Sequence, residues 1–105
     1  MIRTVHKFTF EPDIPMGEIR NGLLLSAIAV EAIYGESAMM IEGKFSINMR
    51  EWTCVIDAET QLGSDLAKVF AGFMNMYSGG CFRADFTECK APLGDMLDLC
   101  GALIR

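Results

Sequence analysis

The chain has a single histidine, no Cys-x-x-Cys pair, no glycine-rich phosphate loop, no run of lysine or arginine, and no apolar stretch long enough to cross a bilayer. Each absence removes a class of function. A two-histidine metal site is excluded by count, and any Ser-His-Asp or Cys-His constellation must be built around His6. The four cysteines, Cys54, Cys81, Cys89 and Cys100, are spaced for neither a zinc ribbon nor a thioredoxin-like redox motif. Gly43-Lys44 imitates part of a phosphate loop. That motif needs glycine where Ala38 stands and serine or threonine where Phe45 stands. Nine Lys and Arg against fourteen Asp and Glu leave a formal net charge of −5. Such a chain carries no general electrostatic footprint for nucleic acid or an anionic membrane, so neither is expected as a partner. The longest apolar run, from Gly22 to Gly35, is too short to span and contains Glu31.

What is present points to one α+β domain covering residues 1–105. The length suits a single core, and 51% hydrophobic residues exclude a disordered chain. The N-terminus, Met-Ile-Arg-Thr-Val-His-Lys, alternates instead of leading into an apolar segment, so no secretory signal is read there. A cytoplasmic location is the expectation. The cysteines then read as reduced thiols packed as small hydrophobes.

Periodicity places the elements. Thr4 to Phe10 alternates, with His6, Phe8 and Phe10 on one face, and predicts a half-buried strand. Glu-Pro-Asp-Ile-Pro ends it, because proline cannot donate to a ladder. A helix is predicted from Gly17 to Tyr34, stopping at Gly35. It carries two apolar stripes: Ile19, Leu23, Ala27, Val30 and Tyr34 on one side, and Leu25, Ile28, Ala29 and Ala32 on the other. Ala38 to Met49 alternates and predicts a second strand, with Met39, Ile41, Gly43, Phe45, Ile47 and Met49 on one face. Asn48 to Glu51 reads as a hairpin turn. Trp52 to Asp57 reads as a central strand, since both its faces are fairly apolar. Leu66, Val69, Phe70, Phe73, Met74 and Tyr77 recur at helical steps after a cap at Thr60 or Ser64. The back of that helix is small: Ala67, Ala71, Gly72 and Asn75. A fourth strand over 82–87 and a short C-terminal helix over 95–104 complete the order.

The order β-α-β-β-α-β resembles the split β-α-β, ferredoxin-like arrangement. That resemblance implies a two-layer sandwich, with an antiparallel sheet and two helices on one face. It carries no chemistry by itself. The soft-metal module of this topology uses M-x-C-x-x-C in its first loop, where this chain has Glu-Pro-Asp-Ile-Pro-Met. The RNA-recognition module of the same order has aromatics on its central strands, as Phe8, Phe10 and Trp52 could imitate. Its Arg-Gly-Phe-type signature is missing and the net charge has the wrong sign.

Three residues remain as chemical candidates: His6 on the apolar face of its strand, Cys54 as its neighbour if the first and third strands pair, and Glu31 within an apolar helix. Each also reads as structural: a core-edge histidine, a buried thiol, and a carboxylate at a core margin with a cation supplied by a partner subunit. No catalytic residue, metal or cofactor is assigned. The second stripe of the first helix, Leu25, Ile28, Ala29 and Ala32, has no use in a monomer, where one apolar face suffices. The expected function is therefore non-enzymatic, by self-association as a homodimer or other homo-oligomer, or by protein–protein interaction. The alternative is a small-molecule-binding regulatory module with a pocket lined by Tyr34, Met39 and Trp52. A small enzyme using Cys54, His6 or Glu31 ranks third, because no convergent polar constellation supports it.

Overall fold

The computed structural model describes residues 2–48, 50–78, 82–90 and 97–98, with side-chain surroundings over 4–48 and 50–76. Its elements are β1 (Ile2–Phe10), α1 (Met16–Tyr34), α2 (Glu36–Glu42), β2 (Lys44–Asn48), β3 (Thr53–Asp57), α3 (Gln61–Ser78), β4 (Phe82–Lys90) and β5 (Leu97–Asp98). The strands form one sheet in the order β4-β1-β3-β2-β5, and every neighbouring pair is antiparallel. Phe8 stands opposite Cys54, and Cys54 opposite Ile47. The described residues form a small α+β domain built from an antiparallel sheet and three helices.

The core follows from the two periodicities. Phe8, Phe10, Phe45, Cys54 and Ile56 from the sheet share one buried cluster with Ile19, Leu23, Ala27 and Val30 of α1. Leu62, Leu66, Phe70 and Met74 of α3 complete it. Phe70 meets Phe8 edge to face, with ring centroids 4.9 Å apart and planes at 89°, the arrangement the ring quadrupoles favour. α1 and α3 approach closely at Gly22, where a Cβ would lie 2.7 Å from the Met74 sulfur. One turn on, buried Ser26 satisfies its hydroxyl by donating to the Gly22 carbonyl at 2.6 Å, the usual way a serine is accommodated inside a helix.

The turns are chemically specified. The Asn48 side-chain oxygen accepts the N–H groups of Arg50 and Glu51 at 3.0 and 3.1 Å, an Asx turn. Trp52 then takes a positive φ of 56°, held by two bonds. Its indole N–H donates to the Ile14 carbonyl at 2.9 Å, and its own carbonyl accepts the Phe10 N–H at 3.0 Å. At the start of α3 the Thr60 hydroxyl accepts the Gly63 N–H at 3.0 Å. This is N-capping by the first of the two residues proposed for it.

Three expectations are corrected. Residues 38–42, expected at the start of the second strand, belong to helix α2. Ala38, Met39 and Met40 are good helix formers, and Glu36 suits the positive end of the dipole. In α2 it is Met39 that enters the core, while Ile41 is 73% exposed. The alternation of Met39, Ile41 and Gly43 therefore marked no common buried face. At the C-terminus, Leu97–Asp98, expected in a helix, pairs as β5 with Lys44 and Phe45 of β2; the rest of 95–104 lies outside the described residues. Finally, Ala67 is fully buried within the core cluster and not part of an outer small face of α3.

The outer face of the first helix as candidate functional site

α1 buries Ile19, Leu23, Ala27 and Val30, and its solvent side still carries apolar groups. Ile28 is 52% exposed and Leu25 38%; Ala32 is exposed and Ala29 half-buried. All four were singled out by spacing. The structure leaves three more large hydrophobes exposed: Ile33 at 76%, directed about 140° around α1 from Ile28, and Met40 and Ile41 on α2 at 45% and 73%. Ile33 falls outside a four-residue stripe. Met40 and Ile41 were hidden by the strand reading, although Gly35 followed by Glu36 was the available signal for a second helix.

Two open depressions follow one another along this side of α1. Gly17, Arg20, Asn21 and Leu24 line the first. Ile28, Glu31, Ala32 and Glu36 line the second. The lining thus carries Arg20 in the first depression and two carboxylates, Glu31 and Glu36, in the second, with Leu24 and Ile28 between them.

Tyr34, Met39 and Trp52, proposed as a pocket, are not brought together. Met39 is fully buried as a core filler. Tyr34 ends α1 and donates its hydroxyl to Asp65 of α3 at 2.5 Å. Trp52 is bonded to Ile14, just before α1 begins. A helix of that length puts Tyr34 and Trp52 at ends about 27 Å apart. Neither depression is lined by any of the three.

His6 and Cys54 do share the helix-facing side of the sheet, since Phe8 pairs with Cys54 and His6 with Ile56. His6 is half-buried and tilted against Phe8, 6.2 Å between ring centroids. Burial, then the charge of Lys68, holds its pKa below the ordinary value. Burial alone pushes the Cys54 thiol up to about 12, so it is protonated at neutral pH and a poor nucleophile. Cys81, Cys89 and Cys100 lie outside the residues whose side chains are described.

The acidic groups near the end of β3 each serve local structure. Asp57 is buried and accepts the Glu59 N–H at 3.0 Å. The Glu59 carboxylate accepts the Thr4 N–H. Asp65 accepts from both Tyr34 and Gln61. Among the described residues no group of three His, Cys, Asp or Glu could hold a metal ion, and no helix is long and apolar enough to cross a membrane.

Fold and surface together define a small α+β domain with an apolar helix face turned to solvent. No protein-family model, curated protein or solved structure matches the chain.

Proposed function

We propose that this protein acts by self-association through the outer face of α1, as a non-enzymatic assembly or interaction domain. The observation that carries the reading is the exposed stripe centred on Ile28, flanked by Leu25, Ala29 and Ala32. Single exposed hydrophobes need no explanation, whereas a contiguous apolar patch rimmed by polar groups marks an interaction surface. Large Leu25 and Ile28 beside small Ala29 and Ala32 suit close helix packing, because a large side chain of one helix seats over a small one of the other. A homodimer is the simplest closed assembly that uses such a face.

The domain itself is read as ferredoxin-like. The strand order β4-β1-β3-β2, with α1 between β1 and β2 and α3 between β3 and β4, supports the split β-α-β arrangement. A cytoplasmic setting is proposed with it. Cys54 kept as a buried thiol suits a reducing compartment.

The experiment is sedimentation of the purified chain beside Ile28→Glu. Burying an isoleucine contributes roughly 1.5–3 kcal/mol, and each dimer contains two copies of Ile28. The variant is expected to sediment as a folded monomer at concentrations where the parent is a dimer. Identical sedimentation of the two proteins removes this surface from the assembly.

A further inference from the structure

We infer that two copies of this chain pair through α1 in an antiparallel two-fold arrangement, with Arg20 of each copy against Glu31 of the other. The inference rests on the self-association proposed above, and it commits that surface to a second copy in one orientation.

Arg20 and Glu31 are eleven positions apart. At about 100° per residue their directions from the helix axis differ by only about 20°, and their separation along the axis is about 16 Å. Both therefore lie on one edge of the exposed stripe. Between them on that edge stand Leu24 and Ile28. The row thus reads cation, apolar, apolar, anion. The two depressions have the same polarity: Arg20 and Leu24 line one, and Ile28 and Glu31 line the other, with Glu36 adding a second carboxylate.

Such a row complements itself only when reversed. A two-fold axis perpendicular to a pair of antiparallel helices reverses their direction and leaves each edge facing the same edge of its mate. With that axis level with residues 25 and 26, midway along the row, Arg20 meets the partner's Glu31 at one end. Glu31 meets the partner's Arg20 at the other. Leu24 and Ile28 close the apolar middle. Exposed Ala32 leaves room beside Glu31 for the aliphatic stem of the arriving arginine. In a parallel pair the two-fold axis runs along the helices and each edge faces the opposite edge of its mate, so Arg20 and Glu31 do not meet. Flanking charges of this kind contribute little to affinity and choose orientation and partner.

The test is sedimentation equilibrium of the full chain at low and physiological salt, with circular dichroism as the check on folding. Arg20→Glu and Glu31→Arg each place two like-charge contacts in the dimer and should weaken it about tenfold at low salt. The double variant Arg20→Glu/Glu31→Arg should return to within about threefold of the parent, and the differences should shrink as salt screens them. Arg20→Gln supplies the comparison should a reversal fail to fold. A parent dimer unmoved by the single changes, or singles not rescued by the double, overturns the antiparallel pairing and leaves self-association standing. A parent chain that stays monomeric overturns both, and directs the face to a different protein.

Discussion

Tyr34, the last residue of α1, donates its hydroxyl to Asp65 in the second turn of α3 at 2.5 Å, tying the end of one core helix to the start of the other. The bond holds the Asp65 carboxyl below the usual carboxylate range, helped by Gln61. It also raises the Tyr34 hydroxyl above its ordinary value, with burial and the carboxylates of Asp65 and Glu42 adding to the effect.

The signs at the two ends of the pH scale follow by linkage. Asp65 titrates lower folded than unfolded. Its contribution is complete above the unfolded value, near 3.9, and is lost as pH falls through the folded one. Tyr34 titrates higher folded than unfolded. Its contribution is complete below about 10 and is lost as pH rises through the folded value. Urea unfolding of the parent and Tyr34→Phe should therefore differ most near neutrality and converge in strong acid and strong base. A difference that stays constant from neutral pH into strong acid would show that the bond does not couple to Asp65 ionisation.

His6 should titrate below 6.5, measured by the NMR shifts of its ring protons. Burial is the larger cause and the Lys68 charge the smaller, so Lys68→Ala should move the midpoint upward without restoring it fully. The contribution of neutral His6 to stability is present above the unfolded value and lost as pH falls below it. Full restoration in Lys68→Ala would make charge, not burial, the main cause.

Two glycine substitutions should separate backbone crowding from side-chain crowding. A Cβ on Gly63 would lie 1.9 Å from the Asp57 carbonyl oxygen, a backbone atom held at the end of β3. A Cβ on Gly22 would meet the Met74 sulfur, the flexible part of a long side chain. Gly63→Ala is expected to cost about 3 kcal/mol or more, and Gly22→Ala nearer 1 kcal/mol, the latter offset in part by helix propensity. Equal unfolding midpoints for the two variants would contradict the close approach of α3 to β3.

Cys54 should resist an alkylating reagent in the native protein and react once the chain is unfolded, as read by peptide mass mapping. Its thiol is fully buried and raised to about 12, so both access and thiolate fraction are low. Rapid native labelling at neutral pH would reopen a chemical role beside His6.

Much of the framework was legible in the sequence, because period and punctuation are local. α1 was placed within one residue at its start and ended at the same tyrosine. The stripe Leu66, Phe70 and Met74 enters the core as its spacing required. The Asn48 turn and the Thr60 cap follow from side-chain chemistry that acts over two or three residues. α2 was missed for an equally local reason. Over five residues, Met39 and Ile41 fit an alternating pattern as well as a helical one, and burial alone distinguishes them.

Composition and spacing by themselves determined that this acidic chain with one histidine makes an α+β domain whose first helix has apolar groups on two sides. Only the tertiary structure decided what those sides meet. It turned Leu23 and Val30 into the core and left Ile28 in solvent. It joined Tyr34 to Asp65, sent Trp52 to the far end of α1, and sealed Cys54 under the helices. The reason is physical. A helix or strand specifies the directions in which its side chains point, whereas burial, hydrogen-bond partners and pKa depend on residues distant in sequence that packing brings within a few ångströms.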